Sequence, residues 1–178
     1  MPEVNALRRA MRFRECAPPP LDDLAANMRW LRDRELIGNL YKRYAYGVDS
    51  IDFDLVRSVF HPECEVVGTV NSGALDDYLA EIERGLHRFE ATMHFVGNQY
   101  IEIDGDTGFV ESWVTGYHMQ AEDSAVDHLV LGLRYQDDVA RNGDDWWITR
   151  RVAVKQWHTG PFPRANLSDP IDPDRASG

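Results

Sequence analysis

A cone-shaped α+β domain, with three N-terminal helices packed on a strongly curved antiparallel sheet that encloses one small-molecule pocket, is the fold class this sequence predicts. Three stretches with apolar residues at helical spacing come first, and four long runs rich in β-branched and aromatic residues follow. Two glycine-containing turns and one polar connection separate those runs, so the sheet reads as a meander. A sheet bent around helices leaves a cavity at its open end. With 178 residues, 43% of them hydrophobic, the chain has material for one domain with a real core and is short for two.

Residues 1–27 read as an N-terminal arm, because Ala17-Pro18-Pro19-Pro20 fixes φ and removes backbone donors. Ile37, Tyr41, Tyr44 and Val48 recur at helical spacing behind Asp33 as a possible N-cap, predicting a long helix from about Met28 to Val48. A shorter helix is expected from Asp52 to Phe60, stopped by Pro62. A short strand pair around Glu65 to Val70 comes next. Leu75, Tyr78, Leu79, Ile82 and Leu86 then mark a third helix, with Ser72 as its cap. The strands are Ala91–Ile103, Phe109–Gln120, His128–Val139 and Trp146–Trp157. Asp104-Gly105-Asp106 and Asn142-Gly143-Asp144 suit tight hairpins, and Ala121 to Asp127 is a polar connection. The domain spans residues 28–159. Residues 160–178, with Pro161, Pro163, Pro170 and Pro173 among acidic side chains, read as a tail outside the fold.

Composition narrows the function. Thirty acidic against 19 basic residues give a net charge of −11, which repels nucleic-acid phosphates and anionic membrane surfaces. Two cysteines, Cys16 and Cys64, make no disulfide framework, and no apolar run has the length of a signal peptide or membrane span. The expectation is a soluble, cytoplasmic protein. His61 and Cys64 lack a second pair of ligands at zinc-site spacing, so no metal is expected. Neither a phosphate-binding glycine loop nor a nucleophile elbow is present.

Two residues stand out as carriers of chemistry. Asp49 lies at the junction of the first two helices, where it serves either as a cap or, since Ser50 and Asp52 also suit that task, as a functional carboxylate. His94 sits in the apolar strand Thr92-Met93-His94-Phe95-Val96, where an ionisable ring needs a partner. It is either a hydrogen-bonded core histidine or a catalytic one, with Asp49 the natural partner. Tyr44 lies about one and a half helical turns before Asp49. Trp113 and Tyr117 share one parity of their strand and are expected to line the pocket, with His118 facing the other way. Of Arg150 and Arg151 at least one should make a structural ion pair, and Arg151 is the candidate to reach a substrate carbonyl.

The stretches Tyr44-Ala45-Tyr46-Gly47-Val48-Asp49-Ser50, Phe53-Asp54-Leu55-Val56, Phe60-His61-Pro62, Thr92-Met93-His94-Phe95-Val96-Gly97-Asn98 and Trp146-Trp147-Ile148 resemble the SnoaL-like branch of the NTF2-like superfamily over roughly residues 28–158. Within it the chain is similar to scytalone dehydratase, hexachlorocyclohexane dehydrochlorinase and bile-acid 7α-dehydratase. The resemblance implies an Asp–His pair for proton abstraction, Asp49 and His94 by position, with Tyr44 matching the bile-acid enzyme's tyrosine. It also shows departures. Scytalone dehydratase has a second histidine on the next strand, at a position that matches Trp113 here. Its polar substrate contacts fall among Val130, Leu131, Gly132 and Leu133, so its substrate is not expected to be this one's.

The function these readings imply is a cofactor-independent acid–base enzyme that removes a carbon-bound proton from a mostly apolar cyclic or polyketide-like molecule, a dehydratase first of all. An isomerase, a polyketide cyclase, a non-catalytic binding module and a dioxygenase small-subunit-like module are the alternatives. A homo-oligomer, dimer or trimer, is expected, because open sheets of this kind bury an outer face against a copy of themselves.

Overall fold

The computed structural model describes residues 16–69 and 72–160. The predicted Pro-rich tail, apart from Gly160, and most of the predicted arm lie outside the described residues.

Helix α1 spans Leu24–Ser50 and starts before the predicted Met28. Its N-cap is Asp23, whose carboxylate accepts from the Ala26 amide at 2.9 Å. Asp33 is therefore not a cap. It lies inside the helix, buried, where both Arg141 Nη groups donate to it at 2.9 Å and Trp146 Nε1 donates at 3.1 Å. A buried carboxylate with three such donors ties α1 to the far sheet. Ile37, Leu40, Tyr41, Tyr44 and Val48 form the face of α1 turned to the core.

The helix ends at Ile51, held in the left-handed region at φ 57°. A β-branched residue adopts that conformation only under tertiary constraint. Helix α2, Phe53–Arg57, follows at once, capped by Asp52 and shorter than predicted. The approach is close: a Cβ on Gly47 would meet Val56 Cγ2 at 2.8 Å. Phe60 and Pro62 belong not to that helix or its stop but to strand β1, Phe60–Val67. An irregularity in register between Phe60 and Glu65 accommodates the proline, which has no N–H for the ladder.

Strand β2, Ser72–Ala74, precedes helix α3, Leu75–Leu86. Ser72 is a strand residue, and the N-cap position of α3 is Ala74. The helix has no side-chain cap, and Asp76 and Asp77 in its first turn complement the dipole instead. Strands β3 (Ala91–Asp104), β4 (Thr107–Met119), β5 (Leu129–Asn142) and β6 (Asp145–Thr159) form the predicted meander. Gly105 and Gly143 supply the positive φ at its two tight turns, 59° and 58°.

The six strands make one open sheet in the order β2-β1-β6-β5-β4-β3, antiparallel except for β1 beside β6. Register shifts interrupt β3 between Val96 and Gln99 and the β5–β6 ladder at Gly132/Leu133 and Asp138/Val139. Such bulges bend strands, and the sheet curves around the helices. The core lies between α1, α3 and the concave face, and a cavity remains at one end of it.

Candidate active site

Asp49 is the penultimate residue of α1, and the left-handed turn at Ile51 ends the helix just beyond it. Its side chain crosses to β3. Oδ1 lies 2.7 Å from His94 Nδ1 and accepts from Thr92 Oγ1 at 2.9 Å, while Oδ2 accepts from the His94 backbone N–H at 2.7 Å. Burial works to raise the Asp49 carboxyl, but the ring and backbone hydrogen bonds from His94 and the one from Thr92 together outweigh it. The group is held below the usual carboxylate range. A carboxylate against Nδ1 makes that nitrogen the N–H donor and leaves Nε2 as an acceptor.

Gly116 on β4 pairs directly with His94. A Cβ there would stand 3.2 Å from His94 Nε2 and 3.1 Å from His118 Cε1. Its missing side chain therefore leaves room beside the free nitrogen. The His118 ring meets that of His94 edge to face, 5.3 Å between centroids, and Phe89 packs on it at 5.0 Å. Burial first, and then the nearness of His94, push the His118 imidazole down to about 4, so it is neutral at physiological pH.

Both histidines line one cavity of about 100 Å³ under α1 and α3. Its walls are largely apolar, with Leu86, Phe89, Leu129, Leu131 and Leu133 among them, and Tyr44, Tyr78 and Tyr135 also line it. The Tyr44 and Tyr78 hydroxyls are 3.3 Å apart. Burial holds Tyr78 and Tyr135 well above the usual phenol range, so they remain O–H donors. A roomier hollow, about 660 Å³ around Glu102, Thr107, Asp138 and Thr149, includes none of these groups.

The structure thus brings Asp49, His94 and Tyr44 to one site, and it separates the other three expected residues from it. Trp113 and Tyr117 share a parity, as read, but it is the parity of the convex face. They are 38% and 37% exposed there, and Trp113 shares a surface hollow with Phe95 and Trp157. The strand's inward residues are Val114, Gly116 and His118. Trp113 therefore faces away from the cavity, and the histidine that the strand beside β3 brings to it is His118. Arg151 is fully buried and does not line the cavity. It donates from Nε and Nη2 to Asp137 at 3.0 and 2.8 Å, and its guanidinium lies 4.2 Å from the Tyr135 ring and 4.4 Å from that of Tyr44. Burial opposes its charge, yet Asp137 keeps it a cation, and Tyr41 donates to the same carboxylate at 2.8 Å. It stands behind the tyrosines as part of the fold, not as a contact for substrate.

Sequence reasoning missed His118, Gly116, Tyr78 and Tyr135. The alternation of β4 held the signal for the first two, since placing His94 opposite Gly116 sets His118 beside it. Among the described residues no group of three or more His, Cys, Asp or Glu side chains is gathered to hold a metal ion, and no helix is long and apolar enough to cross a membrane. Cys64 is buried, and burial pushes its thiol up to about 12.

The sequence pattern of the SnoaL-like domain matches residues 29–152, which takes in most of α1, all of α2 and α3, the sheet as far as Val152 in β6, and Asp49, His94, Tyr44 and His118. The chain belongs to the SnoaL-like family. An uncharacterized protein of Mycobacterium tuberculosis is 30% identical to this SnoaL-like chain over 140 residues, 76% of the chain and 93% of the relative. Among solved structures, a Kribbella flavida protein is 25% identical, with a TM-score of 0.64, over 71% of this chain and 93% of its own. A Novosphingobium aromaticivorans protein, provisionally named a scytalone dehydratase, is 23% identical with a TM-score of 0.69, covering 80% and 95%. A hexachlorocyclohexane dehydrochlorinase (LinA) is 15% identical with a TM-score of 0.66, covering 82% and 99%. These likenesses establish an NTF2-like fold for the SnoaL-like chain.

Proposed function

We propose that this SnoaL-like protein is an acid–base enzyme, working without a metal or organic cofactor, that removes a carbon-bound proton from a mostly apolar cyclic or polyketide-like molecule, and that it is a dehydratase. The observation that carries this reading is the 2.7 Å contact of Asp49 with His94 Nδ1, with Nε2 beside Gly116 and His94 lining a largely apolar cavity. Nε2 takes a proton from the carbon next to a carbonyl, and the C–H electron pair moves into an enolate. Tyr44, one of the hydroxyl groups lining the cavity, donates to the developing oxyanion. The enolate collapses to a carbon–carbon double bond and expels the β-hydroxyl, which takes the proton from the imidazolium and leaves as water. Asp49 keeps the ring in one tautomer and stabilises its charged form. The names of the scytalone dehydratase-like and dehydrochlorinase neighbours agree with this class of chemistry. The same first step also serves an isomerase or a cyclase.

The test uses 3-hydroxycyclohexanone as probe and follows the absorbance of the conjugated enone. Wild-type protein is expected to speed its formation, and His94→Gln to remove the effect. Equal rates in the two proteins would overturn His94 as the base.

A further inference from the structure

The mouth of the cavity carries a charge that the proton-transfer step does not use. Arg88 lies in the turn between α3 and β3 and lines the cavity with Phe89 and both histidines. Its Nε donates to the Gly85 carbonyl at 3.3 Å, which seats the guanidinium at the C-terminal end of α3, where a cation is favoured. Among the described residues, that bond leaves the two Nη groups uncommitted. The other charged groups of the cavity or just behind it all have partners: Glu81 pairs with Arg84, Asp49 with His94, and Arg151 with Asp137. In a chain with 30 acidic and 19 basic residues, carboxylates for Arg88 are plentiful, yet among the described residues none pairs with it.

Resting on the reading of the pocket as a substrate site, we propose that Arg88 is a specificity-determining residue that selects substrates bearing an anionic group, a carboxylate in particular. Guanidinium is planar and presents paired N–H groups that match a carboxylate, and with Nε engaged the Nη groups remain for that contact. The apolar walls take the ring, and Arg88 takes the charged substituent. Phe89, the next residue, packs on His118, so the cation is one residue along the chain from the wall that faces the base.

Binding of 3-oxocyclohexane-1-carboxylate and of its methyl ester, measured by NMR titration, tests the inference. Because Arg88 is exposed, the expected preference for the acid is modest, about fivefold, and it shrinks in high salt. Arg88→Ala should bring the ratio to about one, and Arg88→Glu should reverse it. His94→Gln should keep the preference while losing exchange of the ring protons next to the carbonyl into D2O, so a failure of the catalytic reading shows itself separately. Equal binding of acid and ester by the wild type, no binding of the acid, or a preference that survives in Arg88→Ala would each overturn the proposal.

Discussion

Strands β3 and β4 have two faces, and they differ in a direction that composition does not reveal. On the concave face His94, Gly116 and His118 come together, with ring centroids 5.3 Å apart and a free ring nitrogen over a glycine. On the convex face Phe95, Trp113 and Tyr117 stand partly in solvent, although they are the larger and more aromatic set. A pocket needs walls set back from it, so small residues belong at its centre, whereas aromatic bulk there would fill it. The difference teaches that a glycine facing a buried histidine marks the working face better than a row of aromatic side chains does.

Substitutions on the two faces sharpen this contrast. His94→Gln keeps a polar side chain but removes the base, and proton abstraction is expected to fall about a thousandfold. Asp49→Asn should cost about a hundredfold by freeing the tautomer. It should also alter acid stability. Because the Asp49 carboxyl is lowered in the fold, its contribution is present in full above the ordinary value of 3.8 and lost as pH falls through the lower folded value. The stability gap between wild type and Asp49→Asn, read by thermal melts across pH, should therefore close below that range. Gly116→Ala puts a methyl group 3.2 Å from Nε2, and an activity loss of about tenfold with a retained fold is expected from activity assays and melts. On the convex face, Trp113→Phe and Tyr117→Phe should leave activity within about twofold.

His118 offers a measurement on the concave face that needs no substrate. Its imidazole is held at about 4 in the fold against 6.5 for an ordinary histidine. The unfolded chain takes up that proton first as pH falls, so His118 costs the fold stability progressively between 6.5 and about 4. His118→Gln should lose stability less steeply across that window.

The helices and strands were legible because apolar spacing of about 3.6 and of 2 survives in the primary structure. Asp49 and His94 were legible as candidates, one at a helix junction where Ser50 and Asp52 also suit the cap, and one in an apolar strand where an ionisable ring needs a partner. What was not legible is what depends on contacts between distant segments. Asp33 looks like a cap by composition, and only Arg141, 108 residues away, and Trp146 show it to be a buried tether. Pro62 looks like a helix stop, but its place in β1 rests on an irregular register with β6. The parity of β4 was read correctly, yet which parity faces the helices depends on its pairing with β3, so Trp113 and Tyr117 were placed in the pocket and His118 outside it. An ion pair was expected from at least one of Arg150 and Arg151, with Arg151 reaching a substrate carbonyl, but nothing local tells that Arg151 is the buried partner of Asp137 or that its guanidinium packs on Tyr44 and Tyr135.

The central claim is that the Asp49–His94 pair draws a proton from carbon, and exchange of the protons next to the carbonyl of cyclohexanone into D2O, followed by NMR, tests it most directly. The account predicts that wild-type protein accelerates the exchange, that His94→Gln abolishes the acceleration and that Trp113→Phe keeps it. Exchange no faster than in buffer, or undiminished in His94→Gln, would contradict it.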